Sequence, residues 1–189
     1  MPGEPPHSGR IRTVLGVDPG TLSTGYGVVM QSPSGLSCVA SGSIRPGGQR
    51  PLPFRLREIY RGLARIMDTY KPDECAVESA FYGRNAQSAL KLGHARGVSL
   101  LAAAERSLPT FEYSPREVKK AVAGRGSASK EQVQFMVRAL LGMGKEPLPH
   151  DASDALGIAI CHLHRLGETG PAPRSWKSYC EAHPERVRR

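Results

Sequence analysis

The order of apolar segments predicts a mixed α/β sheet of five strands with helices on both faces. Three observations carry that reading. Three strand-like runs come first, two of them joined by a short turn; helix and strand then alternate; helices alone close the chain. At 189 residues with 39% hydrophobic content, the sequence suits one domain with a core two or three layers deep.

Ile11 to Val17 reads as a buried strand ended by the turn signal Pro19-Gly20. Gly25 to Met30 and Leu36 to Ile44 read as the next two. The Ser32-Pro33-Ser34-Gly35 link between them is short and turn-rich, which predicts an antiparallel hairpin. From Leu56 to Tyr70 apolar residues recur at helical spacing (Leu56, Ile59, Leu63, Ile66, Met67), with Arg57, Arg61 and Arg65 off that stripe. Lys71-Pro72-Asp73 stops this helix and Glu74 to Glu78 forms the fourth strand. Asn85 can cap a helix reaching Ser107. Its second half, Val98 to Ala104, is apolar nearly all round, which predicts burial on more than one side. Gly93 and Gly97 permit close approach of another backbone, either from within the chain or from a second copy. Thr110 to Tyr113 is a brief fifth strand. Pro115 suits the first turn of a helix through Ala123. The basic loop Gly124-Arg125-Gly126-Ser127 leads to a helix carrying Val133, Met136, Val137, Leu140 and Leu141. A last helix runs from His150 to Leu166. Residues 11–168 are thus expected to form the domain, 1–10 a Pro- and Gly-rich leader without a secretory h-region, and 169–189 a basic, Pro-rich tail expected to be disordered.

Composition narrows the function classes. A formal charge of +9 favours a polyanionic partner. No apolar stretch approaches the roughly 20 residues that a membrane helix needs, so no membrane role is expected. Cys38, Cys75, Cys161 and Cys180 lack C-x-x-C spacing, and the first three lie in apolar segments, as core thiols do in a reducing cytoplasm. Cys161-His162-x-His164 does not read as a zinc site, because adjacent helical residues diverge in direction and no second ligand pair accompanies them.

Against this basic background, carboxylates sit inside apolar runs. Asp18 follows Val14-Leu15-Gly16-Val17, Glu78 follows Cys75-Ala76-Val77, and Asp154, with Asp151 one turn before it, opens Ala155-Leu156-Gly157-Ile158. A carboxylate beside a core segment loses hydration, at a cost of several kcal/mol unless it is paired or holds a metal. Asp18 and Glu78 both end their strands, where sites collect in α/β sheets, and face one another if the strands are neighbours. Asp151 and Asp154 share one helix face. Together the carboxylates are able to hold two Mg²⁺ or Mn²⁺ ions about 4 Å apart, since hard oxygen ligands suit these ions better than zinc. Plainer readings remain open. Asp18 can stabilise its turn by accepting backbone N–H bonds, and Asp151 can serve as a helix N-terminal charge. The strand ending in Asp-x-Gly-Thr also opens actin-like ATPase domains, but those need a second such domain and a second phosphate loop. A non-catalytic DNA-binding module of the same fold predicts broken carboxylates.

Asp18-Pro19-Gly20-x-x-x-Thr24-Gly25-Tyr26-Gly27 closely resembles the opening of RuvC-type Holliday junction resolvases. So do Glu78-x-x-Phe81, Asn85-Ala86-x-Ser88-Ala89-Leu90-Lys91-Leu92-Gly93-x-Ala95-Arg96-Gly97, Gly124-x-Gly126-Ser127-Ala128-x-Lys130 and Asp151-Ala152-x-Asp154-Ala155-Leu156, in order from Leu15 to His162. The resemblance implies a ribonuclease H-like fold and a homodimer acting on four-way DNA junctions. It implies symmetric nicking of two opposing strands that leaves 5′-phosphate and 3′-hydroxyl ends, in recombination and repair. It also implies partnership with a branch-migration motor. Asp18, Glu78, Asp151 and Asp154 match the family's metal-binding catalytic carboxylates, although some members place a histidine where Asp151 stands, which draws in the neighbouring His150. Phe81 matches the family's junction-probing aromatic, a wedge able to stack on an unpaired base; a core aromatic is the plainer alternative. Lys119 and Lys130 coincide with basic positions the family uses, and with Arg125 they are the expected phosphate contacts.

Overall fold

β1 (Arg12–Asp18) owes its central place to Val14, Leu15 and Val17, which are buried completely and on both sides. Around it the computed structural model, which describes residues 11–79, 86–144 and 147–167, builds a single five-stranded sheet in the order β3-β2-β1-β4-β5. β2 (Thr24–Ser32) runs antiparallel to β1 and β3 (Gly35–Ile44) antiparallel to β2, the expected hairpin. β4 (Glu74–Glu78) lies parallel to β1 on its other side, with β5 (Thr110–Tyr113) parallel beyond it.

Side-chain alternation along the strands supplies a core for each face. Val14, Val29 and Ala76 meet α3 (Pro115–Ala123), α4 (Lys130–Leu140) and α5 (His150–Gly167). Leu15, Val17, Val28, Cys75 and Val77 meet α1 (Leu52–Tyr70) and α2 (Ala86–Ala104). Helices therefore cover both faces, as expected. α1 begins four residues before the apolar stripe does, because Pro53 is tolerated in a first turn; it ends at Lys71, left-handed at φ 44°, whose N–H reaches Met67 O at 2.9 Å. α3 and α4 each open on a capping box, Ser114 with Glu117 and Ser129 with Gln132, which satisfies two otherwise orphaned donors per helix.

α2 buries more than one side, against α1 and against the sheet, with Ala95, Ala102 and Ala103 in that core. Leu90 is nevertheless 62% and Leu101 52% exposed, and no described atom lies within 4 Å of where a β-carbon would stand on Gly93 or Gly97, so packing among the described residues leaves that stripe uncovered. The histidine of Cys161-His162-x-His164 is a fully enclosed strut: its Nδ1 shares a 2.7 Å hydrogen bond with the Tyr113 hydroxyl and its Nε2 meets Glu74 Oε2 at 2.7 Å. Cys38, Cys75 and Cys161 form no disulfide, and burial pushes the Cys75 thiol up to about 12. The leader, Asn85, Cys180 and the tail from residue 168 lie outside the described residues.

Candidate active site

Asp18 and Glu78 are the last residues of parallel neighbours, and the pairing of Val17 with Val77 delivers them side by side. Burial, then the charges of Glu78, Asp154 and Asp151, push the Asp18 carboxyl up to about 8 against a smaller opposing pull from Lys130. Burial foremost, and Asp154 next, also raise Glu78, offset by the bond from Asp18 and by Lys130.

The remaining carboxylates arrive on α5, and glycines decide how close it comes. A β-carbon on Gly16 would overlap the carbonyl oxygen of Ala155 and stand 2.8 Å from Ala159 N. One on Gly25 would overlap the carbonyl of Asp151, and one on Gly27 would lie 2.7 Å from Leu156 Cδ2. Bare backbone on β1 and β2 thus lets the first turns of α5 rest directly on the sheet beside Asp18. Asp151 is fixed there by Ser23 in the β1–β2 turn, whose Oγ donates to Asp151 Oδ2 at 2.5 Å. Asp154 is fixed by Lys130 at the start of α4, Nζ to Oδ2 at 3.0 Å. The turn itself is closed by Thr24, whose hydroxyl donates to Gly20 O at 2.8 Å and accepts from Gly20 N at 3.4 Å. Turn closure therefore falls to Thr24, and Asp18 is left to face the other carboxylates.

The structure thus brings Asp18, Glu78, Asp151 and Asp154 to one end of the sheet, as the sequence predicts, and adds Lys130 to the cluster. Lys119 sits half-buried on α3 and Arg125 is exposed in the α3–α4 loop, donating to Gln132 Oε1 at 3.0 Å; neither forms an ion pair with the cluster among the described residues. His150 is exposed at the first position of α5. Phe81 lies outside the described residues. Ser23 was missed by sequence reasoning, and no local signal marks it, since its partner stands 128 residues away. The donor set fits Mg²⁺ or Mn²⁺: hard oxygens crowd together, and among the described residues Lys130 offsets their repulsion. Among the described residues no three His, Cys, Asp or Glu side chains stand close enough together to hold an ion as placed; Lys130 and Ser23 each contact one of the four carboxylates.

The profile described as crossover junction endodeoxyribonuclease RuvC matches residues 14–162. A protein of that name from Dehalococcoides mccartyi is 52% identical over 149 residues, 79% of this chain and 89% of the relative. One from Salinibacter ruber is 45% identical over 175 residues, 92% and 98% of the two chains. Among solved structures, Thermus thermophilus RuvC in complex with a Holliday junction substrate superposes with a TM-score of 0.76 at 35% identity, over 82% of this chain and 96% of that one. The yeast mitochondrial Holliday junction resolvase, 15% identical with a TM-score of 0.60, shares the fold. With its carboxylates gathered where β1, β4 and α5 meet, this chain belongs to the RuvC family of crossover junction endodeoxyribonucleases.

Proposed function

We propose that this chain resolves four-way DNA junctions by nicking two opposing strands symmetrically at the cluster of Asp18, Glu78, Asp151 and Asp154. The observation that carries the reading is the convergence of these carboxylates, from three separate elements, at one end of the sheet. These residues would hold two Mg²⁺ or Mn²⁺ ions. When bound, such ions supply a water activated for in-line attack on the phosphodiester and stabilise the departing 3′-oxygen.

The chain's own residues prepare that chemistry. To hold the ions Asp18 would release its proton to solvent, so that both it and Glu78 would be anionic ligands. Ser23 holds one oxygen of Asp151 and leaves the other free. Lys130 neutralises Asp154 and, released from it, would pair with a phosphate oxygen of the DNA instead. Lys119 and Arg125 contact phosphates further out, and Phe81 stacks on an unpaired base at the junction centre. A second copy of the chain covers the open stripe of α2, so the dimer presents two active sites to opposing strands. A branch-migration motor acts on the same junction, in the bacterial cytoplasm.

The test is incubation with a synthetic junction, with and without Mg²⁺ or Mn²⁺, mapping cuts on each arm. Paired nicks on opposing arms, seen only with the ion and lost in Asp18→Asn while junction binding persists, are expected. Near-native cleavage by Asp18→Asn would remove the cluster from the mechanism.

A further inference from the structure

A second basic feature lies on the other face of the sheet from α5. β3 is an edge strand, and between it and α1 runs a groove of about 580 Å³. Tyr26, Ser43 and Ile44 line it on the sheet side, with Arg45 and Arg50 beyond the end of β3 and Arg65 on α1. Glycines shape it: a β-carbon on Gly42 would stand 2.8 Å from the Tyr26 hydroxyl, and one on Gly62 would be 2.7 Å from Ile44 Cδ1.

The charges in this groove are unspent. Arg45, Arg50 and Arg65 are exposed, and none of them forms an ion pair among the described residues. The lining carboxylate, Glu58, is already shared between Arg57 at 3.6 Å and Arg61 at 3.7 Å. Guanidinium groups matched by no carboxylate suit phosphate oxygens, which accept bidentate bonds from arginine.

Position selects the phosphate. Asp18 pairs with Gly25 across the sheet, and Gly25 pairs with Ser43. Two strand spacings put Ser43 about 10 Å from Asp18, the axial rise of about three phosphates on one DNA strand. A strand leaving the carboxylates toward β3 would reach Arg45 and Arg50 next, and Arg65 further along α1. We infer that the groove between β3 and α1 is a second DNA-binding surface, holding the sugar–phosphate backbone that flanks the cut. The inference rests on junction DNA being the substrate.

The test is equilibrium binding of a fluorescent four-way junction to the full chain in EDTA, across a salt series, for wild type, Arg45→Gln/Arg50→Gln/Arg65→Gln and the matching triple lysine variant. Loss of three phosphate contacts should flatten the plot of log affinity against log salt by about 2 to 3. Going from 50 to 200 mM salt would then cost the glutamine variant about 40-fold less affinity than it costs wild type. The lysine variant should keep most of the slope, and the glutamine variant should nick at the same positions in low salt. An unchanged slope in a glutamine variant that melts like wild type overturns the inference. The same result with lost affinity for an oligoglutamate peptide overturns it as well, and gives the groove to an acidic protein segment. Because binding is read without the ion, a chain that grips the junction but never nicks it would sink the proposed function and leave this inference standing.

Discussion

At the residue scale the active site is a balance of unneutralised charge. A carboxyl held near 8 in the folded chain, against 3.8 in the open one, binds more protons folded than unfolded between those values. Its contribution to stability is therefore complete below about pH 4 and is lost as pH rises through about 8. Thermal melts in EDTA should show Tm falling across that window, with Asp18→Asn flattening the fall. Added Mg²⁺ should recover stability at pH 8, since an ion that binds only the folded chain stabilises it by mass action. A wild-type Tm independent of pH in EDTA would count against the crowded, protonated cluster. Ser23 belongs to this scale too: its hydroxyl orients a carboxylate that its own segment gives no hint of.

At the scale of elements, what matters is how near α5 comes to β1 and β2. Gly16 is the tightest point, because the atoms a β-carbon would meet are backbone of Ala155 and Ala159 and cannot rotate aside. Gly16→Ala should cost about 1–3 kcal/mol in denaturant unfolding, as overpacking usually does. Nicking should fall further than stability does, because α5 carries Asp151 and Asp154, and displacement of about 1 Å can cost about 100-fold in rate. A Gly16→Ala protein with native unfolding midpoint and native nicking rate would show that the helix does not need this contact. The strands and helices themselves were largely legible. β4 and α3 follow from Lys71-Pro72-Asp73 and Pro115, which punctuate the chain locally. The start of α1 was not, since Leu52 to Arg55 lacks the apolar period that marks its later turns.

At the scale of the molecule, two surfaces are open. Leu90, Gly93, Gly97 and Leu101 make one stripe along α2 with nothing of the described chain upon it. Such a stripe, small at its centre and apolar at both ends, suits an identical helix. Leu101→Glu should convert a dimer to a monomer in light-scattering chromatography and abolish paired nicking while leaving the fold's melting intact; a mass unchanged by that substitution would move the interface elsewhere. The groove between β3 and α1 is the other surface, and its arginines come from two elements that no sequence pattern links. Within 11–167, no described helix is long and apolar enough to cross a membrane.

The sequence by itself determined the strand and helix order, the mixed sheet and the identity of the four carboxylates, because turn residues, apolar periods and buried charges are local signals. Only the tertiary structure decided that Ser23 holds Asp151, that Lys130 pairs with Asp154 in the carboxylate cluster, that the described chain leaves one stripe of α2 uncovered and that three arginines share a groove. Those facts depend on which atoms meet across strands and helices far apart in the chain. For Ser23 and Asp151 that proximity is set by how closely bare glycine backbone lets α5 approach the sheet, a distance that no single segment encodes.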